Sequence, residues 1–170
     1  MSTLIRILKH RWLDETDAQR ALGADALHRI EKRVAASERT HTGELRVCVE
    51  AGLPLSYLWR GASARERAIA MFGKLRVWDT EHNNGVLIYL LLAEHRIEIV
   101  ADRAVARRVE PGHWQQLVDT MGEAFRAGRF EQGLSAAIDA VDALLVAHFP
   151  RDPSAATLRL NELPDEPLLR

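Results

Sequence analysis

Trp78–Arg103 reads WDTEHNNGVLIYLLLAEHRIEIVADR, two apolar runs with polar residues at either end. Only Glu94, His95 and Arg96 separate the runs, too few for a crossover, so the spacing predicts two antiparallel strands joined as a hairpin. GVLIYLLLA is apolar on both alternating faces, the pattern of a central strand covered on both sides. HRIEIVAD alternates more clearly and is read as a strand nearer an edge.

In such a hairpin the residues just before Gly85 and just after Ala101 lie at the same end of the sheet. Asp79, Glu81, Asn83 and Asn84 precede that point and Asp102 follows it. Carboxylates and amide oxygens converging in this way are the donors that Ca²⁺ and Mg²⁺ require. The same residues have a second reading: Asn84-Gly85 suits a turn, Asp79 can bond its own loop, and Asp102 can N-cap a helix beginning at Arg103.

Upstream, SARERAIAMFGKLRVW carries Ala68, Met71, Phe72 and Leu75 at helical spacing, with Ser63 placed to cap it. Before it, ELRVCVEA alternates Leu45, Val47 and Val49 with Arg46, Cys48 and Glu50, a strand with one face more polar. A helix between these two strands predicts a parallel crossover, so the sheet is expected to be mixed. Earlier still, Thr16 and Asp17 precede a stripe of Leu27, Ile30 and Val34, read as one long amphipathic helix ending near His41 to Gly43. Downstream, HWQQLVDTMGEAFRAG and EQGLSAAIDAVDALLVAHF predict two helices packed on the sheet.

The resulting order is α-β-α-β-β-α-α, an α/β domain expected over residues 16–149 after an N-terminal segment, 1–15. Residues 150–170 hold four of the six prolines and no sustained periodicity, and are expected to form a surface arm or disordered tail rather than a core element. Its leucines, Leu158, Leu160, Leu163, Leu168 and Leu169, offer a way to dock on the domain or on a neighbouring chain.

Composition narrows the function classes. The 170 residues are 47% hydrophobic and 28% charged, enough for one ordinary core. A net charge of -1 gives no global basic footprint, so nucleic acid is not an expected partner. The longest uncharged apolar run, Val86 to Ala93, falls far short of the roughly 20 residues a membrane helix needs. Arg6, Lys9, His10 and Arg11 interrupt the first apolar patch, which argues against a secretory signal, and the lone Cys48 suits a reducing compartment; the chain is expected to be cytoplasmic. There is no phosphate-binding glycine loop, dinucleotide fingerprint or zinc-spaced histidine pair. Trp78 and Trp114 are read as packing residues, and Trp12 and Trp59 fall in segments whose pattern assigns them no role.

The Asn-Asn-Gly-Val-Leu start of the second strand (Asn83 to Leu87), the hairpin ending at Asp102, and Phe-x-x-Gly-x-Phe-x-x-Gly-Leu from Phe125 to Leu134 together resemble the TPM domain family. The resemblance spans roughly Thr16 to Phe149. It implies a mixed β-sheet sandwiched between α-helices. Phosphatase activity and divalent-cation binding have both been attributed to the domain, whose members serve roles too different for function to transfer with the fold.

The expected function is therefore a non-catalytic module that binds a protein partner of unspecified identity, with Ca²⁺ or Mg²⁺ held at the hairpin end by Asp79, Asn83, Asn84 and Asp102. The alternative is a cation-assisted phosphatase of low activity, with Arg103, Arg107 or Arg108 supplying positive charge to the phosphate. Cys48 lacks the closely spaced arginine of a cysteine phosphatase loop, and no aspartate pair suits a phosphoaspartate mechanism.

Overall fold

A computed structural model describes residues 3–13, 15–152 and 161–170. Its central hairpin is the expected one. Strand β2 (Gly85–Leu91) pairs antiparallel with β3 (Arg96–Ala101), from Val86 opposite Ala101 to Leu91 opposite Arg96. The connection is a short 3-10 turn, Leu92–Glu94, closed by His95 in the left-handed region at φ 51°.

Strand β1 (Glu44–Glu50) runs parallel to β2, Glu44 opposite Gly85. The crossover between them holds two helices, α4 (Leu55–Trp59) and α5 (Ala64–Lys74). Ser63 caps α5 as expected, in a reciprocal capping box with Glu66.

Strand order is β3-β2-β1-β4, with β4 (Leu168–Leu169) on the far edge. On one face, Leu45, Val47, Ile88, Leu90 and Ile99 pack against helices α3 (Ala24–Ser37), α7 (Pro111–Arg126) and α8 (Phe130–His148). On the other, Cys48, Leu87, Tyr89 and Leu91 meet Leu58, Ala68 and Met71 of α4 and α5. The mixed sheet is thus sandwiched between helices, and no helix among the described residues is long and apolar enough to cross a membrane.

Three expectations need correcting. The long first helix is two, α2 (Glu15–Leu22) and α3, because Gly23 takes φ 79° between them, a conformation that ends an α-helix. A further helix, α1 (Thr3–Arg11), precedes them in what was read only as an N-terminal segment.

One face of β1 is the more polar, as expected, and it too is buried: α5 and the C-terminal residues cover Arg46, Cys48 and Glu50. The tail also joins the core. Leu168 and Leu169 add β4 parallel to β1, Leu163 is buried, and Arg46 donates to the carbonyls of Pro164 and Glu166. Periodicity could not reveal this, because two paired residues and one anchor leave no repeat. Leu158 and Leu160 lie outside the described residues.

Two glycines explain the spaced motifs. A Cβ on Gly85 would stand 2.0 Å from the Val77 carbonyl oxygen, so the loop can pass this close to β2 only at glycine. A Cβ on Gly133 would meet the Phe125 ring at 2.6 Å, which fixes the distance between the end of α7 and the start of α8. Helix α6 (Arg103–Ala106) is a single turn that follows the hairpin directly.

Candidate functional site at the hairpin end

The loop before β2 is built by its own polar side chains. Asn83 donates its N–H to the Thr80 carbonyl at 3.1 Å and adopts φ 52°, which asparagine tolerates better than most residues. Asn84 donates its N–H to the Thr80 hydroxyl at 3.2 Å, and its side chain is fully buried. Its Nδ2 donates to the Thr42 carbonyl at 2.9 Å and lies 3.4 Å from the Thr42 hydroxyl oxygen. Asn84 therefore ties the start of β2 to the residues leading into β1.

On the other strand, Asp102 N–H donates to Gly85 O at 2.8 Å, and Ala104 N–H donates to Asn83 O at 3.0 Å. These bonds bring Asp102 and Asn84 to one end of the sheet, as the hairpin register requires. Asp102 caps α6 through Oδ1, which accepts Arg103 N–H at 2.7 Å. The capping role is real, yet it uses only one of the two carboxylate oxygens.

Asp102 Oδ2 and Asn84 Oδ1 are both buried and accept no hydrogen bond among the described residues. A buried acceptor without a donor costs on the order of 1–3 kcal/mol, so two at one end call for a ligand or ordered water. Arg103 does not serve, since its Nε stands 4.0 Å from Oδ1 and its side chain faces solvent. Asp79 is exposed and pairs with Arg76 at 3.0 Å, Asn83 is half-buried, and Glu81 is exposed. Among the described residues, no three His, Cys, Asp or Glu side chains gather as a metal-binding group. Any cation here would therefore need amide, backbone or water oxygens beside Asp102.

Sequence reasoning missed the buried polar residues beside this end. Ser37 Oγ donates to Asp142 Oδ1 at 2.9 Å and lies 2.8 Å from His41 Nε2, while His41 Nδ1 bonds the Gly43 carbonyl at 3.1 Å. A carbonyl only accepts, so Nδ1 carries the proton of that bond. The residue types are those of a nucleophilic triad, but the carboxylate holds the serine rather than Nδ1, and Ser37 and His41 are both buried. The cluster pins the start of β1 to α8; its only sequence signal is the four-residue spacing of Ser37 and His41. Nearby, burial pushes the Glu38 carboxyl up to about 8, against the pull of the Leu45 N–H it accepts at 2.8 Å.

The opposite end of β1 and β2 is fully paired. Glu50 accepts from both Nε and Nη2 of Arg67 and from the Tyr89 hydroxyl at 2.6 Å. Glu94 accepts from Arg6 at 2.7 Å and pairs with His10 Nε2 at 3.1 Å, and the His10 bond first and then Arg6 lower its carboxyl to about 2. Cys48, mid-strand, is buried with its thiol pushed up to about 12 by desolvation.

A family model for the TPM domain matches residues 16–144. Among solved structures, the BA42 protein of the psychrophilic bacterium Bizionia argentinensis is 25% identical, with a TM-score of 0.73 over 86% of this chain and 94% of that one. The N-terminal domain of a protein from P. gingivalis shares the fold at 20% identity, with a TM-score of 0.61 over 77% of this chain and 83% of that one. No curated protein matches the sequence.

Proposed function

The chain belongs to the TPM domain family, and from that premise we propose a non-catalytic protein-binding domain that holds a divalent cation, Ca²⁺ or Mg²⁺, at the hairpin end. The reading rests on the two buried acceptors without donors, Asn84 Oδ1 and Asp102 Oδ2. Asp102 supplies the anion and Asn84 a neutral oxygen, the hard donors such an ion prefers. Asp79 and Asn83 complete the proposed set, Asp79 exchanging its surface pair with Arg76 for the cation. Backbone carbonyls and water would fill the remaining positions. Bound there, the ion supplies positive charge at the sheet end, where a partner's carboxylate or carbonyl can complete its shell.

The non-catalytic half of the proposal draws support from the nucleophiles. Cys48 is buried with a raised thiol, and Ser37 is buried beneath His41 and Asp142. The alternative, a cation-assisted phosphatase, would need Arg103, Arg107 or Arg108 to hold the phosphate beside the same ion.

Thermal melting during Ca²⁺ and Mg²⁺ titration tests the site. Selective binding to the native state raises stability by about 2.7 kcal/mol at a hundred times the dissociation constant. Asp102→Asn retains a capping oxygen but should abolish the rise. A melting temperature indifferent to millimolar amounts of both ions removes the cation from the proposal. Chelator-sensitive hydrolysis of a phosphomonoester, lost in the Asp79→Ala, Asp102→Ala double variant, would replace it with the enzyme.

A further inference from the structure

Helix α1 reads TLIRILKHR, with no acidic residue. One side is anchored to the domain. His10 is buried, its Nδ1 accepts Leu53 N–H at 2.9 Å, and Arg6 donates to Glu94 and, at 2.7 Å, to the Ala62 carbonyl. The other side turns the polarity pattern outward. Leu8 is 51% exposed and Trp12, directly after the helix, is 82% exposed.

The neighbouring α4 does the same, with Leu55 at 53% and Trp59 at 80%. Seven large apolar side chains are exposed among the described residues, and four of them lie in this helix pair or directly after it. Ile7, Arg11, Leu53, Leu55 and Leu58 line one shallow groove of about 160 Å³ between the two helices, so the elements that carry the four exposed side chains lie against each other. Lys9, Arg11 and Arg60 are exposed around it. The net charge of the chain is -1, and these three cations stand on or directly after the two helices.

Leaving two indoles in water is unfavourable, so their exposure asks for an occupant. The groove is well below the several hundred Å³ of a pocket that encloses a ligand, so it does not suit an inserted side-chain cluster or small molecule. A broad apolar surface suits it better. An indole has an apolar body and one N–H, a combination most favourable at the headgroup level of a bilayer. A short helix with Trp and Leu outward and Lys and Arg beside them is the arrangement that lies in that interface and draws anionic lipid.

We propose that the outer face of α1 and α4 rests on anionic membrane surfaces, with Trp12 and Trp59 inserted at headgroup depth and Lys9, Arg11 and Arg60 against the lipid phosphates. The surface adjoins the Glu94 end of the sheet, away from Asn84 and Asp102. Membrane contact and cation binding are therefore separately testable.

The full chain is sedimented with large unilamellar vesicles of phosphatidylcholine alone or mixed with phosphatidylglycerol, and the indole emission is recorded. Binding to the mixed vesicles is expected, with a blue shift, and salt should weaken it. The Trp12→Ala, Trp59→Ala double variant should partition about tenfold less or worse. Because both side chains are exposed, its far-ultraviolet circular dichroism and melting temperature should match the parent. Lys9→Glu with Arg11→Glu, leaving both indoles, should remove the preference for phosphatidylglycerol. Equal sedimentation with and without phosphatidylglycerol overturns the proposal, as does a folded tryptophan double variant that binds like the parent. Failure to bind vesicles together with self-association that the tryptophan variant abolishes would assign the surface to a second copy of the chain instead.

Discussion

The two ends of the parallel pair β1 and β2 are chemically alike in sequence and opposite in state. At the Glu50 end, each carboxylate meets its donors: Arg67 and Tyr89 on Glu50, Arg6 and His10 on Glu94. At the Asn84 end, Asp102 has one oxygen capped and one without a donor, Asn84 donates its Nδ2 but leaves its oxygen without a donor, and burial raises the Glu38 carboxyl. A buried carboxylate with its arginine is a closed structural unit. Burial with acceptors left over points to something outside the chain, which is why the second end carries the functional proposal.

The largest expected effect breaks the closed end. Arg67→Met leaves Glu50 buried without its cation and should cost about 3–5 kcal/mol in denaturant unfolding, since removing one partner of a buried pair strands the other. The corresponding change at the open end, Arg103→Met, should stay within about 0.5 kcal/mol, because that side chain is exposed and too distant from Asp102. Similar losses for the two would erase the contrast.

Gly85→Ala comes next, at about 1–3 kcal/mol, because its methyl would collide with the Val77 carbonyl and push the loop away from β2. The same variant should weaken any cation response of the Asn84 end, which melting with and without Ca²⁺ would register. Asp102→Ala without added cation should cost about 1 kcal/mol, the value of a lost N-cap. A much larger loss would mean that the free oxygen already has a structural partner.

The pH dependence separates the ends by its sign. Glu94 is depressed from 4.5 to about 2, so the folded state binds fewer protons there. Its contribution is present above the unfolded value and is lost as pH falls through the folded one. Glu38 is raised from 4.5 to about 8, so its contribution is complete below the unfolded value and disappears as pH rises toward 8. In a stability profile, Glu94→Gln should flatten the acid limb and Glu38→Gln the limb between the two Glu38 values. A profile that either substitution leaves unaltered would show that the corresponding carboxyl is not coupled to folding.

The hairpin and its end were legible because a period of two is a local property. The lengths of the apolar runs and the three residues between them determine that Asp102 returns to Asn84, and the register bears this out. Ser63 was legible for the same reason, since a capping box is written within four residues. The break at Gly23 was not, because its neighbours keep helical spacing across it and only the φ angle ends the helix. Nor did alternation show that the Arg46–Glu50 face is buried: polar residues are inside when partners cover them, and those partners, Arg67, Tyr89, Pro164 and Glu166, come from distant segments.

By itself, then, the sequence determined the three central strands, the mixed pairing and which polar residues stand at the hairpin end, all consequences of short-range spacing. Only the tertiary structure decided which of those polar atoms have donors. That depends on where Thr42 and Arg103 come to lie around Asn84 and Asp102, and on which oxygens close packing removes from water. It likewise decided that Trp12 and Trp59, adjacent to nothing recognisable in the sequence, stand exposed beside two helices that touch, because α1 docks through His10 and Arg6 and leaves its other side to solvent.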